Sequence, residues 1–156
     1  MFNSWMLGQD TCLLLVDRLR ELRPKVAVEF GSGFSTALMA LYCEQLVSLD
    51  HNQQKAASWP CVTIAPIFNG TYRADLPDDV EFALIDGPPA KRHGRRGTFP
   101  HLWPHLADEF EVWLDDYNRT YEQKIVADWS DRFPIDVRRV DTAKGLAVIT
   151  RRADDG

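Results

Sequence analysis

The sequence has little cysteine: Cys12, Cys43 and Cys61 are all there is, and no two stand in a C-x-x-C spacing. That leaves nothing from which to build a disulfide framework, and free buried thiols in a reducing compartment are the expectation. There is no apolar run near the ~18 residues a membrane span requires, and "MFNSWMLGQD" lacks the basic start of an export signal. A cytoplasmic protein with no membrane partner is therefore expected. Positive charge is scarce as well, with 18 Lys and Arg against 23 Asp and Glu and a net charge of -5. Nucleic acid is not an expected partner of such a chain. Repeats, low-complexity tracts and long linkers are missing too, so residues 1–156 are expected to form one domain.

What is present is ordinary globular material, 45% apolar and 26% charged. A chain of this length buries roughly 70% of its unfolded surface, enough for a full sheet with helices against it. "QDTCLLLVDRLRELR" sets Leu13, Val16, Leu19 and Leu22 at steps of three, which predicts a helix ended by Pro24. Short apolar runs then alternate with helical ones. "KVAVEF" reads as a strand, "STALMALYC" as a helix whose first turn Ser35 caps, and "QLVSLD" as the second strand. "HNQQKAASW" is a short polar helix and "CVTIAPI" a third strand, followed by a turn at Asn69–Gly70.

"VEFALID" is the fourth strand, and the "GPPAKRHGRRG" after it cannot be regular structure. "TFPHLWPHLADE" holds a helix that Pro104 interrupts or begins, "FEVWLDD" is the fifth strand and "RTYEQKIVADWSDRF" a long helix. Only "TAK" separates "IDVRRVD" from "GLAVITRR", which makes the last two strands a hairpin. The fold expected is α/β and Rossmann-like: a seven-stranded, mostly parallel sheet with a C-terminal antiparallel hairpin and helices on both faces.

Ligands in such sheets bind beyond the carboxyl ends of the strands, where three groups of residues fall. The first is the "GSG" turn after strand one, with Gly31 and Gly33 suited to close approach of a ligand and Glu29 just ahead. The second is Asp50, ending strand two, where a carboxylate can accept both hydroxyl hydrogens of a ribose or cap the helix from His51. A dinucleotide fingerprint would have a third glycine at position 36, where this chain has Thr36. The third is acidic. Asp86 closes strand four, and Asp115 and Asp116 close strand five; neighbouring strands lie about 4.8 Å apart, so these carboxylates converge. Such crowding calls for a cation such as Mg²⁺, a proton or hydrogen-bond donors.

"VEFGSGFST", the strand-end Asp50, "FALIDGPP" and the closing hairpin resemble the class I S-adenosylmethionine-dependent methyltransferases over nearly the whole chain. The resemblance implies an enzyme that transfers the methyl group of S-adenosylmethionine to a hydroxyl. Glu29, Gly31, Ser32 and Gly33 would hold the methionine part, Asp50 the ribose, and His51, Pro66 and Ile67 the adenine. Small cation-dependent catechol-type O-methyltransferases carry an aspartate after strand four and an Asp-Asn pair after strand five. "LDDYN" has Asp116 at the Asn position, which leaves two readings of Asp86, Asp115 and Asp116: ligands of a metal, or a cation-free site with Asp86 or Asp115 as base or acceptor anchor.

The motifs "DGPP" and "DDYNRTYE" are closer to bacterial methyltransferase-like proteins and, more distantly, to plant enzymes that O-methylate glucuronic acid in xylan. Arg119 and Glu122 either pair along their helix or leave Arg119 free to grip an acceptor carboxylate. Lys91, Arg92, His93, Arg95 and Arg96 gather in one loop that leaves the same strand end as Asp86. Arg92 and Arg95 would bind an anionic acceptor there, a small molecule or a glycan, and His93 would serve as a base. His101 and His105, four apart around Pro104, are assigned ordinary polar or packing roles. With no inserted lid, either the acceptor site is open, as suits a glycan, or a second copy of the chain completes it. The competing readings are a non-catalytic cofactor-binding or scaffold protein of the same fold and an NAD-dependent reductase.

Overall fold

A computed structural model of the chain describes residues 6–59, 61–89 and 94–154. Helix α1 (Gln9–Leu22) leads into β1 (Val26–Phe30), α2 (Phe34–Tyr42), β2 (Gln45–Asp50), α3 (Gln53–Ala57) and β3 (Val62–Ile64). A small hairpin, β4 (Ile67–Phe68) and β5 (Thr71–Tyr72), precedes β6 (Val80–Ile85), α4 (Thr98–Leu102) and a 3₁₀ turn (Trp103–His105). The chain closes with β7 (Leu106–Asp115), α5 (Thr120–Arg132), β8 (Ile135–Val140) and β9 (Leu146–Arg151).

The main sheet has the order β3-β2-β1-β6-β7-β9-β8. The strands from β3 through β7 run parallel, while β9 lies antiparallel between β7 and β8. The expected Rossmann-like sheet with its terminal hairpin is thus the observed one. Strand order reverses between β1 and β6, which makes the cleft above those two strands the switch point where ligands of open α/β sheets bind.

Buried strand residues divide by parity, as a sheet covered on both faces demands. Phe82 and Leu84 pack with Leu15, Leu19 and Met39 on the α1/α2 side. Ala83 and Ile85 pack with Phe99, Leu102, Ile125 and Trp129 on the α4/α5 side. Trp113 and Trp129 belong to these cores, and Trp103 packs against the second.

Four local expectations are corrected. The buried stripe of α1 is Thr11, Cys12, Leu15 and Leu19, whereas Leu13 is 64% exposed, because rows at steps of three drift around a helix of 3.6 residues per turn. The third strand stops at Ile64, and Ile67 and Phe68 turn away to pair with Thr71 and Tyr72 around Asn69–Gly70, both of positive φ. "LADE" belongs to β7 rather than to a helix. Cys61 is exposed, unlike the buried Cys12 and Cys43, and all three thiols are free. Among the described residues no helix is long and apolar enough to cross a membrane.

Candidate active site

The carboxyl ends of β1, β2, β6 and β7 bring the sequence-predicted residues together. Gly31 sits at φ +96°, where only glycine is comfortable, and a Cβ there would lie 2.7 Å from the Asp86 carbonyl oxygen. Its amide donates to the Leu49 carbonyl and the Asp86 amide to that of Phe30, each at 2.8 Å, so β1, β2 and β6 are laced together at the switch point. Gly33, the N-cap of α2, is different: a Cβ there would meet no described atom within 4 Å. One glycine is therefore needed by the fold, and the other leaves open space beside a helix N-terminus.

Glu29 is fully buried and serves the turn from beneath. Ser35 Oγ donates to its Oε1, while Thr36 Oγ1 at 2.6 Å and Ser48 Oγ at 2.7 Å donate to its Oε2. Burial pushes its carboxyl up to about 7 against the pull of these three hydroxyls. Ser35 thus braces Glu29 rather than capping α2. Thr36, at the position a third glycine would take, also accepts from the Gly33 amide at 3.0 Å. The hydrogen bonds of Glu29 thus serve to order the turn.

Asp50 is 1% exposed at the end of β2. Its Oδ2 accepts from the Ser32 amide at 2.9 Å and from Ser32 Oγ at 2.6 Å, and its Oδ1 accepts from the Asn52 amide at 2.9 Å. Asn52, not Asp50, caps α3. His51 Nδ1 lies 3.3 Å from the Tyr72 hydroxyl, and the two rings stack with centroids 5.8 Å apart. Tyr72 was not foreseen as a site residue; its one signal was its place just after the Asn-Gly turn. Ile67, exposed in β4, pairs with Tyr72 across the hairpin, and the Pro66 carbonyl accepts from the Arg73 amide at 2.8 Å.

Asp86, Asp115 and Asp116 do converge, each offering a carboxylate oxygen within 4.8 Å of the others. Burial and the Asp115 charge push Asp86 well above the usual carboxylate range. Burial and Asp116 push Asp115 to about 6. Both Asp115 oxygens are buried without a hydrogen-bond partner, whereas the side chain of Asp86 keeps 14% exposure.

Arg95 departs from its expected place on an open loop. It is 4% exposed, and its Nη1 donates to Asp116 Oδ2 at 2.9 Å and to the Asp115 carbonyl at 3.3 Å. Its Nη2 lies 3.6 Å from Asp86 Oδ1, and its Nη1 3.6 Å from Glu122 Oε1. Nε donates to the Pro88 carbonyl at 3.1 Å. A guanidinium so held cannot reach out to an acceptor. Arg119, half-exposed, spans Asp116 Oδ1 at 3.3 Å and Glu122 Oε1 at 3.4 Å, so it pairs along its helix. Lys91, Arg92 and His93 lie outside the described residues, while Arg96 is exposed, with its carbonyl accepting from Trp129 Nε1 at 3.0 Å. His101 contacts the Ala74 carbonyl at 3.0 Å and His105 contacts Asp78 at 2.8 Å, both ordinary polar roles.

A groove of about 560 Å³ lined by Arg18, Leu22, Glu81, Glu109, Phe110 and Thr150 lies at the other end of the sheet. It sits by the amino ends of the parallel strands and contains none of the residues above. Size alone does not make it the site, because the switch-point geometry and the converging acids lie at the carboxyl ends.

No family model and no curated protein matches the chain by sequence. Solved structures do match by shape. An O-methyltransferase from Bacillus cereus in complex with SAH superposes with a TM-score of 0.74 at 11% identity, covering 96% of this chain and 84% of that one. A methyltransferase from Geobacter sulfurreducens gives 0.73 at 12% identity, with 96% and 81% covered. An SAH-bound methyltransferase from Podospora anserina gives 0.72 at 15% identity, with 97% and 81% covered. The chain has the fold of these methyltransferases.

Proposed function

We propose that this protein is an S-adenosylmethionine-dependent O-methyltransferase, binding its cofactor across the Gly31–Gly33 bend and its acceptor beside Asp86. The observation that carries this reading is the meeting, at one switch point of a methyltransferase fold, of an open glycine, a ribose-type aspartate and buried acids with raised pKa values. When bound, S-adenosylmethionine supplies the methyl group already activated as a sulfonium.

The chain's own residues do the rest. Gly33 gives room for the methionine part, and Ser32 and Gly33 present it to the start of α2. Asp50 takes the ribose hydroxyls, with Ser32 Oγ the donor that exchanges for them. His51 and Tyr72 form an aromatic wall suited to a nucleobase, with Ile67 paired to Tyr72 across the hairpin and Pro66 preceding it. Asp86, the most exposed of the three acids, accepts the acceptor's hydroxyl proton, and a carboxylate held above its usual range by burial and the Asp115 charge is a stronger base than a free one. Asp115 behind it shares that proton.

Thr36 supports this cofactor over a dinucleotide, since its hydroxyl is built into the Glu29 brace where a dinucleotide turn has glycine. The acceptor is a hydroxyl compound with an anionic group, such as a uronic acid or phosphorylated sugar, met by the exposed Arg96 and by Arg92. The "DGPP" and "DDYNRTYE" motifs supply this side of the site, and residues 1–156 act as one domain.

Asp50→Ala is expected to weaken S-adenosylhomocysteine binding at least ~10-fold, and Asp86→Asn to slow single-turnover methyl transfer roughly 10²–10⁴-fold with binding little changed. Calorimetry and a labelled-methyl assay with uronic acids and phosphorylated sugars measure the two; equal small effects on both would defeat this division of roles. The complete burial of Asp115 favours a second reading, a cofactor-binding protein without turnover. Binding with no transfer to any acceptor would select it, and stabilisation by NADH alone would point to a reductase.

A further inference from the structure

The acids at the ends of β6 and β7 have the spacing of a divalent-metal site, and the chemistry of carboxylate oxygens is that of Mg²⁺ or Mn²⁺. Their environment does not fit one. Asp116 has both oxygens committed, Oδ2 to Arg95 and Oδ1 to Arg119. Arg95 also faces Asp86 and Glu122 at 3.6 Å each, and its Nε and Nη1 are tied to the carbonyls of Pro88 and Asp115. A dication among these carboxylates would have to enter beside a buried, immobile guanidinium and take over its ligands. The segment carrying Arg95 is itself pinned: Gly97 donates to the Gly70 carbonyl at 3.1 Å, Thr98 Oγ1 to Thr71 Oγ1 at 3.1 Å, and Trp129 Nε1 to the Arg96 carbonyl at 3.0 Å.

We propose that Arg95 is the resident cation of this site: a positioning residue that holds Asp116 by a hydrogen bond and Asp86 by charge, so that the site works without a divalent metal. The claim rests on the reading of these acids as the catalytic end of the molecule, but its physics is local. A planar guanidinium fixes the Asp116 carboxylate in direction and attracts Asp86 beside it, where a metal would gather them around a centre. The Asp115 carboxylate oxygens, which Arg95 does not bond, stay outside this hold.

The test uses the full chain, titrated with Mn²⁺ and Mg²⁺ by calorimetry and, for Mn²⁺, by electron paramagnetic resonance. S-adenosylhomocysteine binding is measured on the same samples. Wild type is expected to show no stoichiometric ion up to several millimolar and unchanged S-adenosylhomocysteine affinity in EDTA. Arg95→Met, which empties the cation position, is expected to melt lower, to bind Mn²⁺ at least ~10-fold more tightly than wild type and to regain thermal stability on adding it. If Arg95→Met does not fold, Arg95→Lys keeps a charge and is expected to fold, bind no ion, and retain S-adenosylhomocysteine affinity. One Mn²⁺ bound to wild type at micromolar concentration and lost in Asp86→Asn would overturn the proposal, as would an Arg95→Met protein as stable as wild type and indifferent to Mn²⁺. If the ion results follow the proposal while S-adenosylhomocysteine fails to bind wild type, the proposed function falls and the role of Arg95 stands.

Discussion

The two glycines of the "GSG" bend should fail in opposite ways. Gly31→Ala forces an L-residue to φ +96° and drives its Cβ to 2.7 Å from the Asp86 carbonyl oxygen and 2.9 Å from its carbon, all backbone that cannot step aside without parting β1 from β6. The positive φ alone costs about 1–2 kcal/mol, and with the clash a total near 3 kcal/mol belongs to the range of strained backbone sites. At about 2–4 °C per kcal/mol for a chain of this size, the melting point should fall roughly 6–12 °C. Gly33→Ser meets none of this. Its φ of 173° is ordinary extended backbone, no described atom lies within 4 Å of the new Cβ, and serine is as good an N-cap as glycine. Its melting point should stay within ~2 °C of wild type.

If the space beside Gly33 belongs to the cofactor, the same substitution should weaken S-adenosylhomocysteine at least ~10-fold, about 1.4 kcal/mol. Differential scanning fluorimetry and calorimetry on both variants read these numbers. A Gly33→Ser protein that binds S-adenosylhomocysteine as wild type does would refute the cofactor placement. A Gly31→Ala protein of unchanged stability would refute the structural reasoning.

Glu29 gives a pH signature. Its folded pKa of about 7 lies above the ordinary 4.5, so its stabilising contribution is complete below pH 4.5 and is lost as pH rises through 7. At ~1.4 kcal/mol per pKa unit, the stability of Glu29→Gln relative to wild type should improve by up to about 3 kcal/mol between pH 4.5 and 7.5; urea titrations showing a constant gap would contradict this. Far from the site, Arg18 grips Glu111 at 2.8 Å on an oxygen pair that Trp113 Nε1 also uses. With Arg18 39% exposed, Arg18→Ala should cost about 1–2 kcal/mol. Thermal melts should show a fall of roughly 2–8 °C with S-adenosylhomocysteine binding intact; loss of binding would mean that this end of the sheet reaches the site.

The parallel sheet was legible because its strands are short apolar runs set apart by helices, and the terminal hairpin because three residues cannot make a crossover. The β4/β5 hairpin was hidden although its Asn-Gly turn was plain, since strands of two residues have no periodicity to read. Strand ends also placed Gly31, Asp50, Asp86 and Asp115 in one cleft, a matter of topology alone. What the letters could not tell was direction. Arg95 and Arg96 are neighbours in a basic loop, yet one is buried among acids and the other lies in water. Glu29 looked like a ligand contact because it precedes the glycines, but alternation along β1 and three hydroxyls from α2 and β2 turn it inward. Tyr72 reaches His51 only through a fold-back that no local pattern announces.

The central claim is the place of the cofactor, and a crystal structure of the protein with S-adenosylhomocysteine tests it most directly. The account predicts the ligand over the switch point, its methionine part beside Gly33 and its ribose hydroxyls on Asp50. A ligand bound elsewhere on the molecule, or no ligand in crystals grown at millimolar concentration, would contradict it.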